Sequence, residues 1–360
     1  MNPLRCALIG DAESPHLLKW ARALAARPDI ALWAASSRGF APGFEDLLPV
    51  SRQLALHTSP DVAGGNGALM RHLPRLAAWL RPIGADWLNP HYLTSHGTLA
   101  WLARRMGVPG RIVGSAWGSD VLVTPTVSAP MKWLTQRVLR ACDLTTSDSQ
   151  YMAGRMRDLG AREVMVFPFG LEAMPLASVT KDNALFFANR GLEPIYAPEQ
   201  VLEAFAAVAT SWPAARLVVA NDGSLSNKLK TMVESLGLAQ RVSFVGRLDT
   251  ATQAAWYARA RWYLSLPRSD SVSVSVLEAM AHGCVPILSD IPANHELVEA
   301  GRNGLVLSSG APLDAADLRR MLPRADLVAA NNRKWVESNA MFPVSVDQFV
   351  ARLHEISAAR

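Results

Sequence analysis

The sequence predicts an α/β protein made of two parallel-sheet domains, and three observations predict it. Its 360 residues, 50% of them apolar, can bury more than one core, at about 100–200 residues per domain. Short apolar runs alternate with longer stretches of helical period, the pattern of parallel strands joined by helices. The pattern pauses once, at Phe167-Pro168-Phe169-Gly170, and then starts again.

The first series opens with Arg5 to Ile9 as a buried strand and Gly10 as the start of a turn. Pro15 then begins a helix in which Leu17, Trp20, Ala21 and Leu24 recur at i, i+3, i+4 and i+7. Strand-like runs follow near Ile30–Ala35, Trp87–Asn89, Arg111–Ser115, Leu144–Thr146 and Val164–Phe167, with helical stretches near 68–80, 96–106, 130–141 and 149–159. Residues 170–183, rich in Pro, Ser, Thr, Lys and Asp without period, mark the junction. The expected domains are therefore 1–170 and 171–340, with 341–360 as a terminal helix that packs back on the first domain. The second series places strands at Ala184–Ala188, Arg216–Ala220, Val242–Val245, Trp262–Leu266, Val285–Ser289 and Leu305–Leu307, and the last helix at Val346–Ile356. Two such sheets facing each other leave a central cleft at the carboxyl ends of their strands, where ligands of open α/β sheets bind.

Net charge is 36 − 31 = +5, and the excess is uneven: residues 1–165 hold 18 basic and 12 acidic side chains. That half also carries seven of the eleven tryptophans. A basic, Trp-rich domain suits an anionic membrane surface or a phosphorylated acceptor, and a solvated basic face accounts for the charge equally well. Cys6, Cys142 and Cys284 stand far apart with no C-x-x-C or His-rich setting, so a reducing cytoplasm is the simplest home. No apolar run approaches the roughly 18 residues of a membrane span, so membrane contact is expected to be peripheral, and no nucleic-acid motif is present.

Residues 264–290, LSLPRSDSVSVSVLEAMAHGCVPILSD, carry the chemistry. Ser271 to Val276 alternate with period two, as in a strand. A strand already ends at Leu266 and another begins near Val285, however, and the parallel connection between them needs a helix. Leu277-Glu278-Ala279-Met280-Ala281 supplies good helix formers and Gly283 a C-terminal stop. The helix then starts near Ser273–Ser275, with the free N–H groups of Val274 and Ser275 available to a diphosphate.

This segment resembles the donor signature of the retaining family 4 glycosyltransferases (glycosyl transferases group 1), in which two acids flank seven residues ahead of an Ala-Met-x-x-Gly helix. Asp270 and Glu278 hold those positions. The resemblance implies the GT-B fold, two Rossmann-like βαβ domains, with the N-terminal one binding acceptor and the C-terminal one binding nucleotide sugar. It implies that Glu278 accepts hydrogen bonds from the nucleotide ribose and that Asp270 contacts the donor sugar; most members have Glu where Asp270 stands. Arg190, at the end of Phe186-Phe187-Ala188-Asn189-Arg190, takes the diphosphate; the family's Lys a few residues on is missing, and Lys228 or Lys230 is a substitute or an ordinary surface lysine. Phe244-Val245-Gly246-Arg247 resembles the turn that receives the nucleobase, giving Val245, Gly246 and Arg247. In the first domain Gly10, His16 and Trp117 face the acceptor, and His91 and Asp120 join Asp270 as catalytic candidates. Many members have His where Trp117 stands.

The implied reaction is retaining transfer of a glycosyl group, of hexosyltransferase class, from a nucleoside diphosphate sugar to a saccharide or lipid-linked saccharide, in cell-envelope or secreted polysaccharide assembly. With no Asp-x-Asp motif, no metal and no other cofactor is expected; Arg190 and the helix end stabilise the leaving diphosphate. Alternatives are a nucleotide-sugar epimerase on the same architecture, and a GT-B partner subunit that binds nucleotide without turnover.

Overall fold

In the computed structural model, residues 2–58, 67–176 and 180–359 are described. The chain divides into two compact units, residues 1–167 with 343–360, and residues 168–342. The boundary lies between Phe167 and Pro168, at the start of the pause in the sequence; residues 177–179 of the expected junction lie outside the described residues.

The N-terminal unit is a seven-stranded parallel sheet of order β3-β2-β1-β4-β5-β6-β7. Its strands are β1 (Leu4–Ala12), β2 (Ile30–Phe40), β3 (Gln53–Ala55), β4 (Trp87–Pro90), β5 (Arg111–Ser115), β6 (Leu144–Ser147) and β7 (Val164–Val166). Helices α1 (Pro15–Ala25), α2 (Leu73–Ile83), α3 (Thr98–Arg105), α4 (Ala129–Ala141) and α5 (Gln150–Asp158) connect them. Each helix buries an apolar stripe, as Leu17, Trp20, Ala21 and Leu24 do on α1. The first strand runs past its expected end: Gly10 is no turn but pairs with Ser36 inside the sheet. A Cβ there would stand 2.9 Å from Leu17 Cδ2 and 3.4 Å from His91 Cβ, so glycine is needed for α1 to pack closely.

The C-terminal unit repeats the plan in a six-stranded parallel sheet, β10-β9-β8-β11-β12-β13. Its strands are β8 (Asp182–Ala188), β9 (Arg216–Ala220), β10 (Val242–Gly246), β11 (Ala260–Ser265), β12 (Val285–Ser289) and β13 (Leu305–Leu307). Its helices are α6 (Pro198–Ser211), α7 (Ser226–Ser235), α8 (Thr250–Arg259), α9 (Val274–Ala281), α10 (Ala315–Met321) and α11 (Ala325–Asn339). Alternation along β8 sends neighbouring aromatics to opposite faces. Phe186 stacks on Trp262 at 6.0 Å, whereas Phe187 meets Tyr257 edge-on at 5.1 Å, so one strand nucleates both core layers.

The last helix, α12 (Phe342–Ala358), belongs from Pro343 onward to the N-terminal unit. Arg352 grips Glu163 through two hydrogen bonds of 2.7 and 3.0 Å, His354 reaches Asp29 at 3.1 Å, and Trp20 meets Phe349 at 5.0 Å. Among the described residues no helix is long and apolar enough to cross a membrane.

Candidate functional site

In both sheets the strand order reverses beside the first strand of the unit, between β1 and β4 and between β8 and β11. Such a switch point opens a crevice at the carboxyl ends of the strands. In the C-terminal unit, Arg190 follows β8 and Asp270 follows β11, one on each side of that point.

The structure joins these two residues. Arg190 Nη2 lies 2.7 Å from Asp270 Oδ2, with both side chains 18% exposed. The contact is an ion pair by distance, yet no donor is aligned on Asp270 Oδ2 as a hydrogen bond; Oδ1 accepts from the Ser271 N–H at 3.0 Å. Burial pushes the Asp270 carboxyl above the ordinary carboxylate range, and the Arg190 charge offsets only part of that. Burial works against the Arg190 charge as well, but Asp270 beside it holds the guanidinium above its usual value. Arg190 also lies over the Tyr196 ring at 4.3 Å, a cation–π contact that fixes the plane of its fork. Its Nη1 donates to Ser273 Oγ and, at 3.3 Å, to Ser275 Oγ.

Those serines begin α9, which starts at Val274 as its connecting role requires, despite the period-two pattern of 271–276. Ser273 is the N-cap residue, but its hydroxyl makes no capping bond to the helix. It is engaged with Arg190 and, at 2.9 Å, with Ser275 Oγ. An N-cap serine normally satisfies one first-turn N–H; here the amide end of α9, at Val274 and Ser275, keeps its donors and its positive dipole for a guest. The helix stops as expected at Gly283 (φ +82°), where the N–H of Cys284 reaches Ala279 O at 2.8 Å and that of Gly283 reaches Met280 O at 3.0 Å.

Glu278 lies one turn into α9. Its Oε2 accepts from Tyr257 OH at 3.1 Å and Gln253 Nε2 at 3.0 Å, both on α8. Tyr257 OH in turn accepts from Asn189 Nδ2 at 3.1 Å, and Asn189 Oδ1 accepts from Asn221 Nδ2 at 2.9 Å. The Asn221 N–H then donates to Gly246 O at 2.7 Å. One chain of bonds thus ties the ends of β8, β9 and β10 to the Glu278 carboxylate. Val245 and Gly246 close β10, where the register slips and Gly246 adopts φ +68°, and Arg247 beyond them is exposed.

Sequence reasoning passed over Tyr257, Gln253, Asn221 and Tyr196. Asn189 was visible beside Arg190 at a strand end, but a tyrosine on a packed helix gives no signal until its partners are known. Lys228 is 65% exposed and pairs with Glu199 of α6 at 3.1 Å.

In the N-terminal unit the candidates close on one another. His91, after β4, is 1% exposed. Trp117 Nε1 donates to its Nδ1 at 3.2 Å, so the proton sits on Nε2, which faces Asn89 Oδ1 at 3.2 Å. The Asn89 amide is fixed by donating to Val113 O and Ser115 Oγ. Burial pushes the His91 pKa down to about 3. Both ring nitrogens are thus engaged, and the ring is held between Trp117 and Asn89. Asp120 is wholly buried, accepting from the Leu93 N–H at 2.7 Å and the Trp117 N–H at 3.0 Å. Burial raises its pKa to about 6 against those bonds. It ties the backbone at Leu93 to that at Trp117. His16 is exposed and meets the edge of Trp117 at 5.1 Å, and Trp117 itself is half-buried.

Among the described residues no group of three or more His, Cys, Asp or Glu is arranged to hold a metal ion.

Two Rossmann-like parallel sheets and a buried Arg with a helix amide end at a switch point define an α/β GT-B protein. The family model for glycosyl transferases group 1 matches residues 172–326, and that for glycosyl transferase 4-like proteins matches residues 5–149. The chain belongs to the GT-B group 1 glycosyltransferase family. Among curated relatives it is 27% identical to the alpha-monoglucosyldiacylglycerol synthase of Streptococcus pneumoniae over 44% of this chain and 34% of that protein. It is 27% identical to D-inositol 3-phosphate glycosyltransferase 2 of Catenulispora acidiphila over 71% of this chain and 66% of the other. The matched region thus spans from about a third to about two-thirds of these relatives' lengths. Among solved structures, sucrose-phosphate synthase from Thermosynechococcus elongatus superposes with TM-score 0.80 at 17% identity, over 99% of this chain and 100% of that one. Anabaena HepE in complex with UDP superposes with TM-score 0.76 at 15% identity, over 98% and 100%.

Proposed function

We propose that the protein transfers a glycosyl group, with retained anomeric configuration, from a nucleoside diphosphate sugar to a saccharide or lipid-linked saccharide acceptor in envelope or polysaccharide assembly. One observation carries the reading: Arg190, Asp270 and the uncapped first turn of α9 converge at the carboxyl ends of β8 and β11. A buried guanidinium and two open amides suit a diphosphate, and a buried carboxylate oxygen lacking an aligned donor suits a sugar hydroxyl. The UDP bound by HepE and the glycosyl-transfer names of the relatives support the same donor class.

In this mechanism negative charge builds on the departing diphosphate while the anomeric carbon becomes oxocarbenium-like. Arg190 and the N–H groups of Val274 and Ser275 receive that charge. Asp270 leaves Arg190 as the diphosphate arrives and accepts a donor-sugar hydroxyl, orienting the sugar for front-face attack. Glu278, held by Tyr257 and Gln253, binds the ribose. No divalent ion is required, and the protein works at the inner face of the cytoplasmic membrane.

Titration calorimetry against a panel of nucleoside diphosphates identifies the base, and turnover of the matching sugar donor in EDTA tests the rest. Micromolar binding of one diphosphate and chelator-insensitive transfer are expected. Absence of binding across the panel defeats the donor assignment, and activity that EDTA abolishes and manganese restores defeats the metal-free mechanism.

A further inference from the structure

The contacts on Arg190 are of two kinds. Asp270, Ser273 and Ser275 lie against its Nη atoms, whose N–H groups are the donors a diphosphate takes. Tyr196 instead presents the face of its ring to Cζ, with the centroid 4.3 Å away. A ring face attracts a cation through its quadrupole rather than through a lone pair, so this contact leaves the N–H groups to other partners. An incoming phosphate therefore competes with Asp270 and the serines but not with Tyr196.

The turn that carries Tyr196 is fastened to the loops on both sides of it. Towards β9, the Leu192 N–H donates to Asp222 O at 3.2 Å, Leu192 O accepts from the Leu225 N–H at 3.0 Å, and the Glu193 carboxylate accepts from the Ser224 N–H at 2.9 Å. Towards β11, Ile195 O accepts from the N–H of Arg268 at 2.9 Å, in the loop that leads to Asp270. The ring lies against Gly191, where a Cβ would stand 3.4 Å from Tyr196 Cε2 and 3.5 Å from Cδ2.

Backbone strain falls at the same place. Pro194–Tyr196 form a single 3₁₀ turn, and Ala197 closes it with φ +44° before α6 begins. An L-residue with a Cβ adopts that left-handed conformation only where its surroundings over-determine it, and such positions cluster at ligand clamps. Residues 191–197 also hold no Lys or Arg, and Lys228 is paired with Glu199. In this stretch the chain supplies Arg190 with an aromatic face rather than with a second cation.

We infer that Tyr196 is a positioning residue for the donor diphosphate, its ring holding the Arg190 guanidinium in place as the N–H groups pass from Asp270 and the serines to the phosphates. This rests on reading the C-terminal switch point as a nucleoside diphosphate sugar site, and adds to it the contact that persists through binding.

The test is titration calorimetry of the full chain with UDP, GDP, ADP, CDP and dTDP, on wild type, Tyr196→Phe and Tyr196→Leu, each also in an Arg190→Gln background. Tyr196→Gln replaces the Leu variant should that one not fold. Wild type is expected to bind one of the diphosphates, and Tyr196→Phe to bind it equally well because the ring face is kept. Tyr196→Leu is expected to bind it about tenfold more weakly, the scale of a partly desolvated cation–π contact. In the Arg190→Gln background Tyr196→Leu is expected to add no further loss, because the cation it holds is gone. Binding of none of the five by wild type would overturn the donor reading and this inference with it. Wild-type binding that Tyr196→Leu leaves unchanged would overturn this inference alone. So would a Phe variant as weak as the Leu variant, which puts the work in the hydroxyl, or an equal loss in both backgrounds, which makes Tyr196 a residue of the fold.

Discussion

The two switch points of this molecule are built from the same fold and treat their acids, Asp120 and Asp270, in opposite ways. At the N-terminal one, both nitrogens of His91 and both oxygens of Asp120 are engaged by neighbours in the unit. At the C-terminal one, Asp270 Oδ2 has charge beside it but no aligned donor, and the N-cap serine of α9 bonds to Arg190 instead of capping. Buried polar atoms are normally satisfied, so a site left short of donors is prepared for a ligand that brings them. Position at a strand end does not distinguish Asp120 from Asp270; their hydrogen-bond partners do.

The largest expected effect tests the receptive side. Asp270→Asn preserves size and removes the charge. Turnover is expected to fall about 10²–10³-fold, the scale of losing one electrostatic contact made in the transition state. Nucleoside diphosphate affinity is expected to hold or tighten, because the carboxylate that occupies Arg190 in the free protein is gone. A residue that merely neutralised Arg190 would leave turnover at saturating donor little changed, with diphosphate binding equal or tighter.

The second effect tests the closed side through pH. Burial puts the His91 pKa at about 3 in the folded chain, against an ordinary 6.5. The folded state therefore binds fewer protons than the unfolded one between those values, and the stability His91 contributes above pH 6.5 is lost as pH falls. His96, pushed down to about 4, acts in the same direction. Asp120 acts oppositely: its pKa is raised to about 6, so its contribution grows as pH falls through 6 and is lost as pH rises. In His91→Gln, the side-chain oxygen can accept from Trp117 and the amide can donate to Asn89, with no proton to gain. Urea unfolding at pH 7 and pH 5 is expected to show a wild-type loss about 2 kcal/mol larger than the variant's. Equal losses would mean that His91 is not held neutral by burial.

Much of this architecture was legible because buried parallel strands read as short apolar runs. Arg111–Ser115, Arg216–Ala220, Val285–Ser289 and Leu305–Leu307 fall where those runs are. The three-residue edge strand β3 carries no such pattern and was missed, and β1 outran its apolar run because Gly10 continues the sheet. At α9 the local alternation favoured a strand, and the need for a crossover between β11 and β12 decided correctly for a helix. The Arg190–Asp270 pair was not legible, since each residue pointed separately to a ligand and only the fold brings them together. The bonding of His91 and Asp120 was illegible for the complementary reason: a histidine or aspartate at a strand end looks the same in sequence whether its polar atoms are open or already bonded.

The smallest effect probes the relay that separates positioning from binding in the receptive unit. Tyr257 OH stands between Asn189 and Glu278, and its burial pushes the phenol pKa well above the usual value, so it remains a neutral donor throughout the accessible pH range. Tyr257→Phe keeps the ring packed on Phe187 and removes one hydrogen bond to the carboxylate, a loss of about 1–2 kcal/mol. Because Gln253 still holds Glu278, the expected result is a five- to thirtyfold rise in KM for the donor with kcat nearly unchanged. The effect is also expected to vanish for a deoxyribose donor whose missing hydroxyl is the one Glu278 binds. An equal loss with both donors would place Tyr257 in the core alone and detach Glu278 from the ribose.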